Sequence, residues 1–374
     1  MLRIVYLTVA DISGKNGQGI YALKVLESFA ARENVDISVI CPKPRNCSEL
    51  RNIHQKYKFD LIHLAQKKKD RNVIWHFLVQ IQLIYVLARM GRKDALVYSL
   101  KPMMFAPILY SRIFGVPIYL LVEGLGEKSI YIITKGLLVK IGTYLLHLNI
   151  KCASKVYPAY ISAKQWADRI RQKKDSTLIY CGVDKKVFSP LPKQKTEKLT
   201  IGFVGSFRKI HLLHQLFKAV QCLDIRLLLV GDGAEKSGLE QLFNSEKFKS
   251  GIIFLGKMEQ KALPKFYSKC DVMWAAVDTN HWGIPIKCFE YLACNKKVIY
   301  TYKEDFKFIA DNKFGFLLKR NEPDEIRSLV LTLKQKFEKG LLKGNTGSRA
   351  YVLKRMSWDM FPEIILDDIL EAVK

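Results

Sequence analysis

Two α/β halves in tandem, each a parallel sheet flanked by helices, are the fold the sequence predicts. Its 374 residues exceed the roughly 250 to 300 at which a single hydrophobic core stops growing. Short apolar runs alternate with stretches of helical spacing, and the alternation restarts after the Pro- and Lys-rich stretch Ser189–Lys198. With 49% apolar and 11% aromatic residues, and Gly and Pro neither clustered nor periodic, disordered and collagenous classes are excluded.

Leu2–Leu7 reads as a first strand. It is too short for the apolar core of a signal peptide and lacks a small-residue cleavage site, so secretion is not expected. A helix over Ile20–Ala31 follows, then strands at Ile37–Cys41, Leu61–Leu64, Leu96–Ser99 and Ile118–Val122, each an apolar run of buried parallel-strand length. The second half gives strands at Leu199–Val204, Arg226–Val230, Ile252–Leu255, Val272–Ala276 and Val298–Tyr300, and Phe361–Val373 reads as a helix. The expected division is 1–190, a linker at 191–198, a second domain at 199–356, and a closing segment at 357–374.

Lys and Arg number 61 against 35 Asp and Glu, a balance of +26 that attracts anions: nucleotides, phosphates, nucleic acid or an anionic membrane face. No aromatic-plus-basic module is present, so nucleic acid ranks last. The basic runs Lys67 to Lys69 and Arg171 to Lys174 read as solvated surface. Eight cysteines without metal-ligand spacing read as reduced thiols in a cytoplasmic protein with no zinc site.

Two segments bear on membranes. Val73–Ala88 is apolar apart from His76, Gln80 and Gln82: a helix buried nearly all round, or one lying against lipid, and too short and polar to span. Leu137–Lys151 sets Lys140, Tyr144, His147 and Lys151 on one helical stripe, which fits peripheral docking on anionic lipid and equally a core helix with a solvated stripe.

Leu227–Gly233 is a buried strand breaking into a Gly-rich turn, a signal divided evenly between structure and function when taken alone. Beside it stand Tyr180–Pro190, Ile201–Lys209, Phe266–Val272 and Gly283–Ala293. In this order these segments resemble the retaining glycosyltransferases of family 4, closely over Tyr180–Trp358 and loosely over Met1–Lys43. The resemblance implies the GT-B fold, two Rossmann-like domains facing each other across a cleft, with the closing helix crossing back to the first. It implies transfer of a sugar from a UDP- or GDP-type nucleotide sugar, with retention and no cofactor; docking on a membrane would put a glycan or lipid-linked acceptor at that surface. The Asp-x-Asp metal motif of the other major glycosyltransferase architecture is absent, so no metal is expected.

Residue by residue, the resemblance puts Gly205, Gly283, Ile284 and Pro285 at the donor. Pro285 can start a helix whose first amides and positive end suit a diphosphate. Glu290 stands where the family grips the ribose hydroxyls, a vicinal diol that a carboxylate can accept from twice. Arg208 and Lys209 stand where basic residues neutralise the leaving diphosphate. Lys287 either adds charge or faces solvent. Gly17 and Gly19, after the first strand, offer loop amides to the donor diphosphate or the acceptor, and Glu123 orients the acceptor, acts as base, or caps the local structure. The sequence departs from the pattern at Ser206, where Arg is frequent, at His211-Leu212, where Lys-Gly is frequent, and at Trp282, where an acid often lies. The competing readings are a sugar-nucleotide epimerase on the same fold and a non-catalytic scaffold binding polyanions or membrane.

Overall fold

The computed structural model describes every residue except 13–16, 45–46, 66–72, 125–135, 246–247, 249–250, 281–282 and 374. Trp282 and the Lys67 to Lys69 run therefore lie outside the described residues. The chain divides into two compact units, Met1–Cys181 with Trp358–Lys374, and Gly182–Ser357. The break falls ahead of Ser189–Lys198. That stretch is fastened to the second unit: the Gln194 N–H donates to Ser268 O at 3.0 Å, and the Thr196 hydroxyl and Lys193 ammonium both meet the buried carboxylate of Asp271.

The first unit holds a six-stranded parallel sheet of β1 (Leu2–Leu7), β2 (Val35–Pro42), β3 (Asp60–Leu64), β4 (Ala95–Ser99), β5 (Ile118–Val122) and β6 (Lys155–Pro158), in the order β3-β2-β1-β4-β5-β6. Leu7 pairs with Ile40 on one side and Tyr98 on the other. The strand order therefore reverses at β1 and β4, the place where an open α/β sheet leaves room for ligand at its carboxyl edge. β4 and β5 are buried at every position, which is why their sequences read as unbroken apolar runs rather than alternating ones.

The second unit repeats the plan with β7 (Thr200–Val204), β8 (Arg226–Val230), β9 (Gly251–Phe254), β10 (Val272–Trp274), β11 (Lys297–Thr301) and β12 (Gly315–Leu318), ordered β12-β11-β10-β7-β8-β9. Its core joins Ile201, Phe203, Leu227, Leu229, Trp274 and Ile299 of the sheet to Leu216 and Phe217 of the helix Leu213–Val220. Ten of the twelve strands coincide with apolar runs read from the sequence. β6 and β12, one edge strand of each sheet, do not.

The helix Met360–Val373 belongs to the first unit. Tyr21, on the helix Gly17–Ala30, packs edge-on against Trp358 and Phe361 at 5.6 and 5.8 Å between ring centroids. Further along, the Tyr157 hydroxyl donates to Asp368 Oδ2 at 2.7 Å and Lys155 Nζ lies 3.2 Å from Oδ1.

Candidate functional site

In the second unit, β7 and β8 both end in glycine with positive φ, Gly205 at 143° and Gly231 at 134°. Their loops are laced together: Gly205 N–H donates to Val230 O at 3.0 Å, Phe207 N–H to Asp232 O at 2.9 Å and Glu235 N–H to Phe207 O at 3.0 Å. A Cβ on Gly231 would fall 1.9 Å from Gly205 O, and one on Gly233 would fall 2.5 Å from Phe207 O. The Gly-rich turn after β8 is thus glycine because two backbones touch there. This settles its evenly divided reading toward structure, with the β7 loop held in place as the result.

The helix Ile286–Ala293 starts beside that loop. Gly283 turns the chain at φ 75°, and Pro285 is the N-cap, with no side-chain hydrogen bond to the helix start. Cys288 N–H folds back on Pro285 O at 2.8 Å, so the amides of Ile286 and Lys287 precede the first intrahelical bond. Along the helix Cys288, Phe289, Tyr291 and Leu292 enter the core. The Tyr291 hydroxyl accepts from Val204 N–H at 2.9 Å and donates to Val204 O at 3.3 Å. It pins the helix to the last residue of β7, immediately before Gly205.

Lys287 and Glu290 share one face of this helix, three residues apart. Both are buried, at 9% and 8% exposure, which removes the solvent-facing alternative for Lys287. Lys287 Nζ lies 3.8 Å from the Phe203 ring centroid and 3.4 Å from each ring nitrogen of His211. A Cβ at Gly205 would stand 2.8 Å from that ammonium, so the glycine makes its room. Burial pushes the Lys287 ammonium well below its ordinary value, against the pull of Cys288 and Glu290. Glu290 accepts the Tyr267 hydroxyl at 3.3 Å. Burial lifts its carboxyl from 4.5 to about 7, against hydrogen bonds from Gln260 and Tyr267 and the Lys287 charge.

Arg208 and Lys209 stand exposed on the β7 loop, where Arg208 precedes the short turn Lys209–His211. The turn is anchored beneath: Trp274 Nε1–H donates to His211 O at 2.8 Å, and Asp278 N–H to Ile210 O at 2.8 Å. Gly205, Ile284, Lys287, Glu290 and the two basic residues are thus carried by elements that are directly bonded or adjacent. Among the described residues no group of three His, Cys, Asp or Glu side chains is placed to hold a metal ion.

Gly17, Gly19 and Glu123 lie at the carboxyl edge of the first unit's sheet. Gly17 and Gly19 open the helix Gly17–Ala30 after β1; Gly17 is exposed with open space about it, and Gly19 is buried. The Glu123 side chain, at the end of β5, is only 7% exposed. Its Oε2 lies 3.7 Å from Lys101 Nζ, and its Oε1 is buried without a hydrogen-bond partner among the described residues. Tyr160 donates its hydroxyl to the Glu123 carbonyl. Burial, then the Glu123 charge, raises the phenols of Tyr6 and Tyr21 far above their ordinary value. Sequence reading did not single out Lys101, Phe203, Tyr267 or Gln260. Lys101 had one usable signal, its place just past the strand Leu96–Ser99.

Residues 198–336 match the family model described as "Glycosyl transferases group 1". Alpha-monoglucosyldiacylglycerol synthase of Acholeplasma laidlawii is 31% identical over 98 residues, 26% of this chain and 24% of that protein. The chain thus spans about a quarter of that relative's length. Sucrose-phosphate synthase from Thermosynechococcus elongatus superimposes over 100% of both chains, with a TM-score of 0.75 at 16% identity. Anabaena HepE in complex with UDP and glucose superimposes over 99% of this chain and 100% of its own, with a TM-score of 0.70 at 13% identity. Likeness across the full chain at such low identity speaks to the fold, which is GT-B, as the resemblance implied.

Proposed function

We propose, from the premise that residues 198–336 are a group 1 glycosyltransferase domain in a chain of GT-B fold, that this protein is a retaining, metal-independent glycosyltransferase. It moves a sugar from a UDP- or GDP-type nucleotide sugar to a glycan or lipid-linked acceptor, working peripherally at an anionic membrane face. The observation that carries the donor half is the buried Lys287 ammonium, caged by Phe203 and His211 beneath Gly205, on the same helix face as Glu290. The burial that disfavours its charge also strengthens its attraction to a diphosphate brought beside it, which favours the ammonium in return. UDP and glucose bound in the HepE structure support a uridine donor.

In the reaction the bond from the anomeric carbon to the diphosphate oxygen breaks and one to the acceptor oxygen forms, and the acceptor proton passes to the departing phosphate. Lys287, Arg208 and Lys209 lower the cost of the charge gathering on that phosphate. The amides of Ile286 and Lys287 and the helix's positive end orient it. Glu290 fixes the ribose by accepting from its two hydroxyls. In the first unit, the unpartnered Oε1 of Glu123 supports acceptor binding, since a buried carboxylate oxygen calls for a donor such as a sugar hydroxyl.

A thermal-shift panel tests the donor half. UDP or GDP at about a hundred times its dissociation constant stabilises the second unit by ~2.7 kcal/mol and raises its melting temperature. Indifference to every nucleoside diphosphate would leave the scaffold reading in its place.

A further inference from the structure

Three helices of the first unit lie side by side and expose large apolar side chains. The helix Val73–Met90 turns Val79, Gln80, Leu83 and Leu87 inward, and Gln80 Oε1 accepts the N–H groups of Phe105 and Ala106 at 3.0 and 3.1 Å, seating the helix Ala106–Phe114 beside it. On the far side of that short helix, Asn149 of the helix Leu137–Cys152 donates to Met104 O at 2.7 Å, and Arg112 reaches Cys152 Sγ at 3.8 Å. The outward faces are apolar. Phe77, Ile81 and Tyr85 form a stripe at i, i+4 and i+8, exposed by 55%, 50% and 60%; Ile113 is 64% and Tyr144 66% exposed. The sequence alternatives of a helix buried all round, or a core helix with only a polar stripe in water, do not describe these faces.

The charge on this layer has one sign. The three helices contain no Asp or Glu, and their ionised side chains are Arg89, Arg112, Lys140 and Lys151. Arg89 donates to the Tyr85 hydroxyl at 2.7 Å, which sets a guanidinium at the edge of the apolar stripe. Among the described residues no helix is long and apolar enough to cross a membrane. An apolar face with aromatic hydroxyls and cations at its margin suits the boundary between lipid headgroups and acyl chains. A second copy suits it poorly: a symmetric pairing would bring the same acid-free faces of two +26 chains together.

We infer that the outward faces of the helices Val73–Met90, Ala106–Phe114 and Leu137–Cys152 form a docking surface for an anionic bilayer. Phe77, Ile81 and Ile113 enter the acyl boundary while Arg89, Arg112 and Lys140 meet the phosphate layer. This deepens the peripheral part of the proposed function and rests on that part alone, independent of the donor chemistry.

Flotation of the full chain with vesicles tests it, comparing phosphatidylcholine alone with phosphatidylcholine mixed with an equal amount of phosphatidylglycerol. The wild type floats with the anionic vesicles, less so as salt is raised. The double variant Phe77→Ser with Ile81→Ser partitions at least about tenfold less, from the apolar area withdrawn from the acyl boundary. Leu341→Ser, equally exposed but in the second unit, floats as the wild type does. Both side chains in the double variant are exposed, so an unchanged melting temperature certifies its fold. Equal flotation of wild type and double variant overturns this surface while leaving membrane association standing. No flotation of the wild type overturns both, and the nucleotide thermal shift still judges the donor site. A wild-type dimer that the double variant splits assigns the face to a second copy and overturns the inference.

Discussion

Glu290 makes opposite demands on folding and on the ribose contact proposed for it. Because burial lifts its carboxyl from 4.5 to about 7, the folded chain holds its proton more tightly than the unfolded chain. Its contribution to stability is therefore greatest below about pH 4.5, falls as pH rises toward about 7, and is level above, a span on the order of 3 kcal/mol. The proposed ribose contact needs the ionised form, so affinity for UDP should rise through the same window. Glu290→Gln should flatten the stability slope in urea titrations at about pH 5 and about pH 8, and weaken UDP binding at both.

Gly231 supplies a sharper test of the loop lacing. Alanine there puts a Cβ 1.9 Å from a backbone oxygen at a φ of 134°, so the β7 and β8 loops must part. Gly231→Ala should cost more than ~2 kcal/mol in urea unfolding and lower affinity for the nucleotide as the Gly205 loop shifts. The sequence named Gly205, Lys287 and Glu290, because their spacing in ordered segments is local information. It left open what Lys287 faces, and passed over Lys101, because those answers depend on contacts between residues 76 and 22 positions apart.

At the scale of elements, the eight inner strands were legible as apolar runs because both faces of a central parallel strand are buried, and the edge strands β3 and β9 still carry short apolar runs, Leu61–Leu64 and Ile252–Phe254. β6 and β12 lie at sheet edges and have four residues each; β6 ends in Pro158, and β12 is buried only at Leu318. Four residues closed by a proline, as in β6, or opened by a glycine, as in β12, carry too little pattern to declare themselves. β6 is nonetheless where the helix Met360–Val373 is fastened, through Tyr157 and Lys155 to Asp368. Asp368→Ala should destabilise the first unit by about 1 to 3 kcal/mol, since the Tyr157 hydroxyl loses its acceptor. Hydrogen exchange should show that helix opening sooner while the second unit's protection is unchanged.

At the scale of the whole molecule, the chain builds most of one unit, then all of another, and returns to the first. Composition and length foretold two cores; the exact break after Cys181 was not legible, because Ser189–Lys198 has the makeup of a linker yet is held by Asp271. Removing residues from Trp358 onward strips Phe361, Ile365, Leu366 and Ile369 from the first core. At ~1.5 to 3 kcal/mol for each, the loss rivals the whole stability of a domain. Urea unfolding of that truncation should lose the first unit's transition and keep the second's, and proteolysis should spare a fragment near Gly182–Ser357.

That return path also sets a schedule on the ribosome. The first half emerges early yet waits, with Tyr21 lacking Trp358 and Phe361, until every residue of the inserted half has been translated. Throughout that interval its unfinished hydrophobic groove is open to water, so a nascent-chain chaperone should engage the first 181 residues and let go only once the returning helix arrives.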